Sequence, residues 1–500
     1  MCLLLLGSLG VVGSMGCGDD GGGGTADAPT SAVDALVGVD SMNPDARGPV
    51  DAAGPCGVFA LTSVTPAANS FDAPTSTPIT LAYNCELDFG TVSAGVVVSS
   101  QLRGRYAGQF EVGVPRRVTF TPPAGVEFSA GELIEVTTTG AIESDLGAST
   151  GPAVWRFHIG TSTSAATMTT PTAVGSAKDS SVVVVGDIDG DKDIDVLYSH
   201  AGGVGVLINN GSGTLSPAAG FGIVSTGGIA LGDLDGDGDL DLFTSGFPGQ
   251  HQVYANNGSG TFSPLGGVFG ANDQTAGVSL GDLDGDGDLD AYVTNLGAGA
   301  TDEVFLNNGA GSFTSTGQTL DVTLSIYATL GDIDGDGDLD AVLATSGANT
   351  NTIRVNDGAG QFALSAESFG TGNSSKIALG DLDGDGDLDA VVTARDVNNY
   401  VELNNGAGLF TATGQSFGVL DTQDVYLEDL DGDGDLDVYF VNLGVDTIWL
   451  NNGSGAFTDT GQSLATGSSY SAALADLDGD NDLDVVTADI AGPPRQLSNN

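Results

Sequence analysis

Five aspartates on alternate residues, as in Asp282-Leu283-Asp284-Gly285-Asp286-Gly287-Asp288-Leu289-Asp290, form a nine-residue pattern that the chain carries seven times. The first three copies are Asp187, Asp189, Asp191, Asp193 and Asp195; Asp233, Asp235, Asp237, Asp239 and Asp241; and Asp282, Asp284, Asp286, Asp288 and Asp290. The next two are Asp332, Asp334, Asp336, Asp338 and Asp340, and Asp381, Asp383, Asp385, Asp387 and Asp389. The last two are Asp429, Asp431, Asp433, Asp435 and Asp437, and Asp476, Asp478, Asp480, Asp482 and Asp484. Carboxylates this close repel by roughly 0.8 kcal/mol per pair at ~5 Å even in water, so each loop calls for a cation. All-oxygen donors suit a hard ion, and no His or Cys falls inside a loop, which points to Ca2+ at up to seven sites. Side chains at positions 1, 3, 5 and 9 are the expected ligands. Position 7 is expected to give its carbonyl, and glycine at position 6 permits the sharp turn. Lys192 and Asn481 replace that glycine in the first and last copies. Lysine tolerates a left-handed backbone poorly and adds a positive charge, so the first loop is expected to be the weakest.

The loops hold 35 of the 66 acidic residues, against 12 basic ones, for a formal charge of −54 over 500 residues. Seven calcium ions would leave about −40, which disfavours nucleic acid and anionic lipid as partners. No Ser/His/Asp set or phosphate cradle is recognisable, and three histidines give little to acid–base catalysis. The chain therefore reads as non-catalytic.

The elements that hold the loops repeat with them, every 46 to 50 residues. An apolar strand such as Ser181 to Val185 enters the acidic loop, and a second such as Asp290 to Thr294 leaves it. A third ends in Asn-Asn-Gly, as at Asn307-Asn308-Gly309, and a fourth opens at Phe313. Four short strands per unit are the texture of a β-propeller blade. The last unit stops at Asn499-Asn500, before its fourth strand. The fourth strand opens 19 residues before the next loop in most units, and the same count back from Asp187 lands on Met168. Thr167 to Thr170 are thus expected to supply the missing outer strand and close residues 165–500 into one ring.

These repeats resemble the FG-GAP and VCBS families of integrin-α-like propellers, through the Gly-Asp-Leu-Asp-Gly-Asp-Gly-Asp-Leu-Asp runs at Gly232 and Gly281 and the Leu-Asn-Asn-Gly that follows. The resemblance implies a calcium-loaded face. Glu428 and Ala475 stand where the family has Gly before the loop.

Residues 56–162 have a different texture of alternating strands at Pro78 to Tyr83, Gly95 to Val98, Arg117 to Pro122, Leu133 to Thr137 and Ala153 to His158. Short strands at this spacing indicate a β-sandwich. Their order resembles the bacterial Ig-like domain of S-layer proteins, which implies a spacer or stalk. The expected fold is all-β, an Ig-like β-sandwich followed by a seven-bladed calcium-binding β-propeller. Cys56 and Cys85 are left as a disulfide pair, with two buried thiols as the alternative.

At the amino end, ten apolar residues from Leu3 precede Ser14-Met15-Gly16-Cys17. This resembles a bacterial lipoprotein signal over residues 1–16, with Cys17 as the lipidated residue; an ordinary secreted protein and an internal apolar segment are the alternatives. Residues 17–55 are Gly-, Asp- and Pro-rich and read as a tether. The expected protein is exported, lipid-anchored to the bacterial cell envelope at the outer membrane or cell surface, and monomeric, with the membrane engaged only through the lipid. It would bind a protein, matrix or glycan ligand, as an adhesion protein or alternatively as a calcium-dependent lectin. A polysaccharide lyase or phosphodiesterase is the remaining alternative, with Arg395, His251 and Tyr400 as the residues to find clustered.

Overall fold

In each repeat the strand that enters the acidic loop pairs antiparallel with the strand that leaves it, in one register: Gly232 faces Asp241, Gly281 faces Asp290 and Gly331 faces Asp340. Glu428 and Ala475 take the same place opposite Asp437 and Asp484, so the missing glycines leave the hairpin unchanged. The leaving strands, such as Asp241–Gly246 and Asp340–Thr345, are buried along their whole length. That is why they read as continuous apolar runs and not as alternation.

The computed structural model describes residues 58–113, 116–175, 180–223, 226–296, 299–320, 324–347, 350–370, 373–395, 397–419, 421–490 and 492–499. The leader, Cys17, the tether and Cys56 lie outside them. Five consecutive repeats, from Ser180 to Val419, each form a four-stranded sheet in chain order. The last two repeats share one longer sheet, because Asp437–Leu450 runs through two strand positions and pairs with Leu464–Ala475. The entering strands neighbour one another in sequence order, and Leu464–Ala475 returns to Ser180–Gly186. The result is an all-β, propeller-like ring. Acidic loops and Asn-Asn-Gly turns lie on one face, and the hairpins between second and third strands lie on the other.

The chain's carboxyl end is completed from upstream. The paired outer strand is Thr172–Ala173, against Arg495–Leu497, and not the expected Thr167 to Thr170, of which Thr169 N alone donates to this edge, to Ser498 O at 2.8 Å. Met168 is buried against Leu464 and Leu497. Its N–H donates to Gln462 Oε1 at 3.1 Å, as Phe362 N does to Gln318 Oε1 at 2.7 Å. Met168 therefore stands where other repeats have phenylalanine.

Upstream, two four-stranded sheets pack over one core containing Leu81, Val118 and Phe120 from one and Val98, Ile134 and Phe157 from the other. Cys85 is buried and disulfide-bonded. Asp88 caps the short helix Phe89–Gly95, accepting from Gly90 N at 2.9 Å. This sandwich is not the free-standing stalk that the sequence suggests. Residues 56–500 form one compact unit, because the sandwich lies on the acidic-loop face. It also closes one end of a cavity of about 490 Å3 inside the ring, lined by Val184, Ile229 and Leu330 and by Leu133 and Arg156 of the sandwich. Among the described residues no helix is long and apolar enough to cross a membrane.

Candidate metal centre

Each acidic loop is shaped by its own carboxylates. The position-1 aspartate accepts from the position-4 N–H through Oδ1, at 2.7 or 2.8 Å in all seven loops. Its Oδ2 accepts from the position-6 N–H, at 2.9 to 3.2 Å. The position-5 carboxylate accepts from the position-7 N–H, as Asp286 does from Asp288 at 3.0 Å. These bonds need a left-handed residue at position 6, and φ there is 94° at Gly287, 81° at Lys192 and 66° at Asn481. Lys192 adopts it with its ammonium turned away from the loop, donating to Gly125 O of the sandwich at 2.7 Å.

The loops bring together three of the four side chains expected as ligands, those at positions 1, 3 and 9 in the first three loops and at positions 1, 3 and 5 in the next two. Oxygens of Asp187, Asp189 and Asp195, of Asp233, Asp235 and Asp241, and of Asp282, Asp284 and Asp290 lie within 4.8 Å of one another, as do those of Asp332, Asp334 and Asp336 and of Asp381, Asp383 and Asp385. Two further acidic or metal-ligating groups of this kind occur among the described residues. The position-7 carboxylates lie elsewhere: those of Asp193, Asp239 and Asp288 abut Gly211, Gly258 and Gly309 of the Asn-Asn-Gly turns, where a Cβ would overlap them.

The donor chemistry fits a hard cation. The position-3 Oδ1 atoms of Asp189, Asp334, Asp383 and Asp478 are buried without a hydrogen-bond partner, as is Asp484 Oδ2. Burial pushes the position-9 carboxyls up, Asp290 to about 9, Asp340 and Asp437 to about 8, and Asp195, Asp241, Asp389 and Asp484 to about 7. Such groups need a proton or a metal ion to neutralise them.

The first asparagine of each Asn-Asn-Gly turn has a role that its position alone does not reveal. Its N–H donates to Oδ1 of the position-9 aspartate, at 2.7 Å from Asn307 to Asp290. Its Nδ2 reaches the position-2 carbonyl of the preceding repeat, as Asn256 does to Ile188, Asn307 to Leu234, Asn356 to Leu283, Asn404 to Ile333 and Asn451 to Leu382. Asn499 reaches Leu430, and Asn209 closes the circle on Leu477. In most repeats the second glycine N–H of the turn joins the same carbonyl. At Leu430 O the Ser164 hydroxyl donates at 2.9 Å.

The three residues weighed for catalysis are not gathered. Arg395 lines the central cavity and the other two do not. The His251 ring is fully buried among Phe243, Phe269 and Phe305, with Nε2 3.5 Å from Glu303 Oε2. Tyr400 lies along the strand Asn398–Leu403, near Asn351. Phe313, Phe362 and Phe457, which open fourth strands, are buried in the cores between sheets and offer no exposed aromatic platform.

A ring of five four-stranded sheets and one longer sheet, with an acidic loop in each repeat, is a propeller-like architecture. The FG-GAP-like repeat profile matches residues 187–244, 233–293, 332–392, 381–440 and 429–487, more than half of the chain, and the chain belongs to that family. No curated protein matches it. Similar solved structures include a lectin of Agrocybe aegerita described as recognising non-reducing terminal N-acetylglucosamine, at 20% identity and a TM-score of 0.41, over 80% of this chain and 96% of that one. A Lactobacillus plantarum protein matches at 12% identity and a TM-score of 0.45, over 75% and 97%. A Bacteroides thetaiotaomicron protein of unknown function matches at 13% and 0.36, over 89% and 99%.

Proposed function

We propose that the chain is a non-catalytic, calcium-stabilised binding protein of the bacterial cell surface. In this reading a seven-bladed FG-GAP propeller, capped by an Ig-like sandwich and exported with a lipid on Cys17, engages a protein or matrix partner through its hairpin face. The observation that carries it is the contrast between the two faces. The acidic face is covered by the sandwich, while the hairpin face offers Val397, Leu443, Val445 and Ile490, each 38% to 42% exposed. Exposed apolar side chains on the loops of a rigid scaffold mark interaction sites. Calcium is the cation of choice because every donor is a carboxylate or carbonyl oxygen.

The test is capture of cells and of immobilised matrix proteins by the chain from Cys56 onward, in millimolar calcium, with a glycan array alongside. The Val445→Asp/Ile490→Asp double variant should lose capture at an unchanged melting temperature. Full capture by the double variant overturns the assignment to this face. Binding confined to one sugar class and competed by the free sugar replaces it with the lectin reading.

A further inference from the structure

The sandwich does not treat the seven loops alike. At the third loop, Thr137 Oγ1 donates to Asp282 Oδ2 at 2.6 Å, and Glu135 Oε1 accepts from Asp282 N at 3.3 Å. Glu135 is itself held by Arg156, whose Nη2 lies 2.6 Å from Oε2. Arg105 donates to the position-6 carbonyl of Gly287 and lies 3.3 Å from Asp288 Oδ1. Pro152 and Val97 pack so closely on Gly285 and Gly287 that a Cβ on either glycine would overlap them. Asp282 is 2% exposed, the lowest value among the seven position-1 aspartates.

We propose that the sandwich supplies the outer shell of the third acidic loop through Thr137, Glu135 and Arg105, which makes this loop the tightest cation site and the one whose occupancy locks the sandwich down. Groups that hold a ligand carboxylate from behind fix its orientation, so less order is lost when an ion arrives. Thr137 does this for Asp282, and Glu135 does it for the main chain of the same residue. Arg105 holds the main chain of the loop at Gly287 O, and its charge is taken up by Asp288, the carboxylate turned toward the Asn-Asn-Gly turn and outside the ligand set. Linkage makes the effect mutual: whatever the docked sandwich adds to cation affinity, the cation adds to docking.

The inference rests on the calcium reading, and the experiment separates the two. Calcium bound per chain is counted by equilibrium dialysis, and affinities are read by competition with a chromophoric chelator. One equivalent should be held more tightly than the rest. Thr137→Val should weaken that class by about 10–100-fold, the usual effect of removing an outer-shell partner, while Thr137→Ser restores it. Asp284→Asn should delete the class, and Asp478→Asn in the seventh loop should leave it. Limited proteolysis between sandwich and ring should accelerate in Asp284→Asn and not in Asp478→Asn. A single affinity class, or a tight class indifferent to Thr137→Val, overturns the proposal while calcium binding stands. No bound calcium at all overturns the underlying reading.

Discussion

Asn209 Nδ2 donates to the main-chain carbonyl of Leu477 at 2.7 Å, joining the first repeat to the last across 268 residues of chain. The same side chain also reaches Ile194 O at 3.1 Å and is buried. Asn209→Ala leaves two buried carbonyls short of a donor, although Leu477 O keeps Gly213 N at 2.9 Å. The expected cost is about 2 kcal/mol or more, read as a melting temperature lower by several degrees. Asn210→Ala, whose exposed side chain only organises its own turn, should cost under about 1 kcal/mol. Equal melting temperatures for the two variants would contradict the ring-closing role of Asn209.

Lys192 combines a strained backbone with a useful side chain. A non-glycine residue at φ 81° costs roughly 1 kcal/mol, which glycine avoids. Its exposed ammonium bond to Gly125 O is worth less than that. Lys192→Gly should therefore be neutral to slightly stabilising, whereas Lys192→Ala keeps the strain, loses the bond and should fall about 1 kcal/mol below it in a denaturant titration. A Lys192→Ala protein as stable as Lys192→Gly would show that the loop relaxes around this residue.

Ion removal should act on the whole ring. At a hundredfold excess over its dissociation constant each site adds about 2.7 kcal/mol, so three occupied sites rival the roughly 5–15 kcal/mol that holds an ordinary domain together. For a chain of this size the melting temperature in millimolar calcium should exceed that in EDTA by on the order of 10 °C. Coincident melting curves in a calorimeter would remove cations from the account of stability.

What the sequence made legible is what repeats locally. The acidic loops, the four strands of each repeat and the count that leads to Met168 all follow from spacing. Five sandwich strands were equally readable, Ile79–Tyr83 and Arg117–Thr121 from residues that alternate inward and Leu133–Thr138 from a run of residues buried over most of its length. Leu61–Thr65 was not, since none of its residues is buried. Nor was the helix Phe89–Gly95, a seven-residue segment with glycine at its second and last positions that the Asp88 cap and the sandwich core hold in place. The docking of the sandwich on the loops was out of reach for another reason. It depends on single contacts such as Thr137 to Asp282, 145 residues apart, that leave no periodic trace. The resemblance to a spacer module also pointed away from it.

The sandwich carries one group whose titration can be read against this background. Burial, and then the neighbouring Arg156 charge, push the His158 imidazole from 6.5 down to about 4. Between those values the unfolded chain binds a proton that the folded chain refuses. This contribution to stability is therefore intact above about pH 6.5 and falls as pH drops toward 4. Part of the ring still reaches the central cavity, so the loss should be about 1–2 kcal/mol, below what the full shift would give. The aspartates titrate over the same range, so the effect is a difference between two proteins: wild type against His158→Gln, unfolded in urea at pH 7 and pH 4.5. The variant should lose less stability across that interval, by about 1–2 kcal/mol. Equal losses would place His158 in water and not against Arg156.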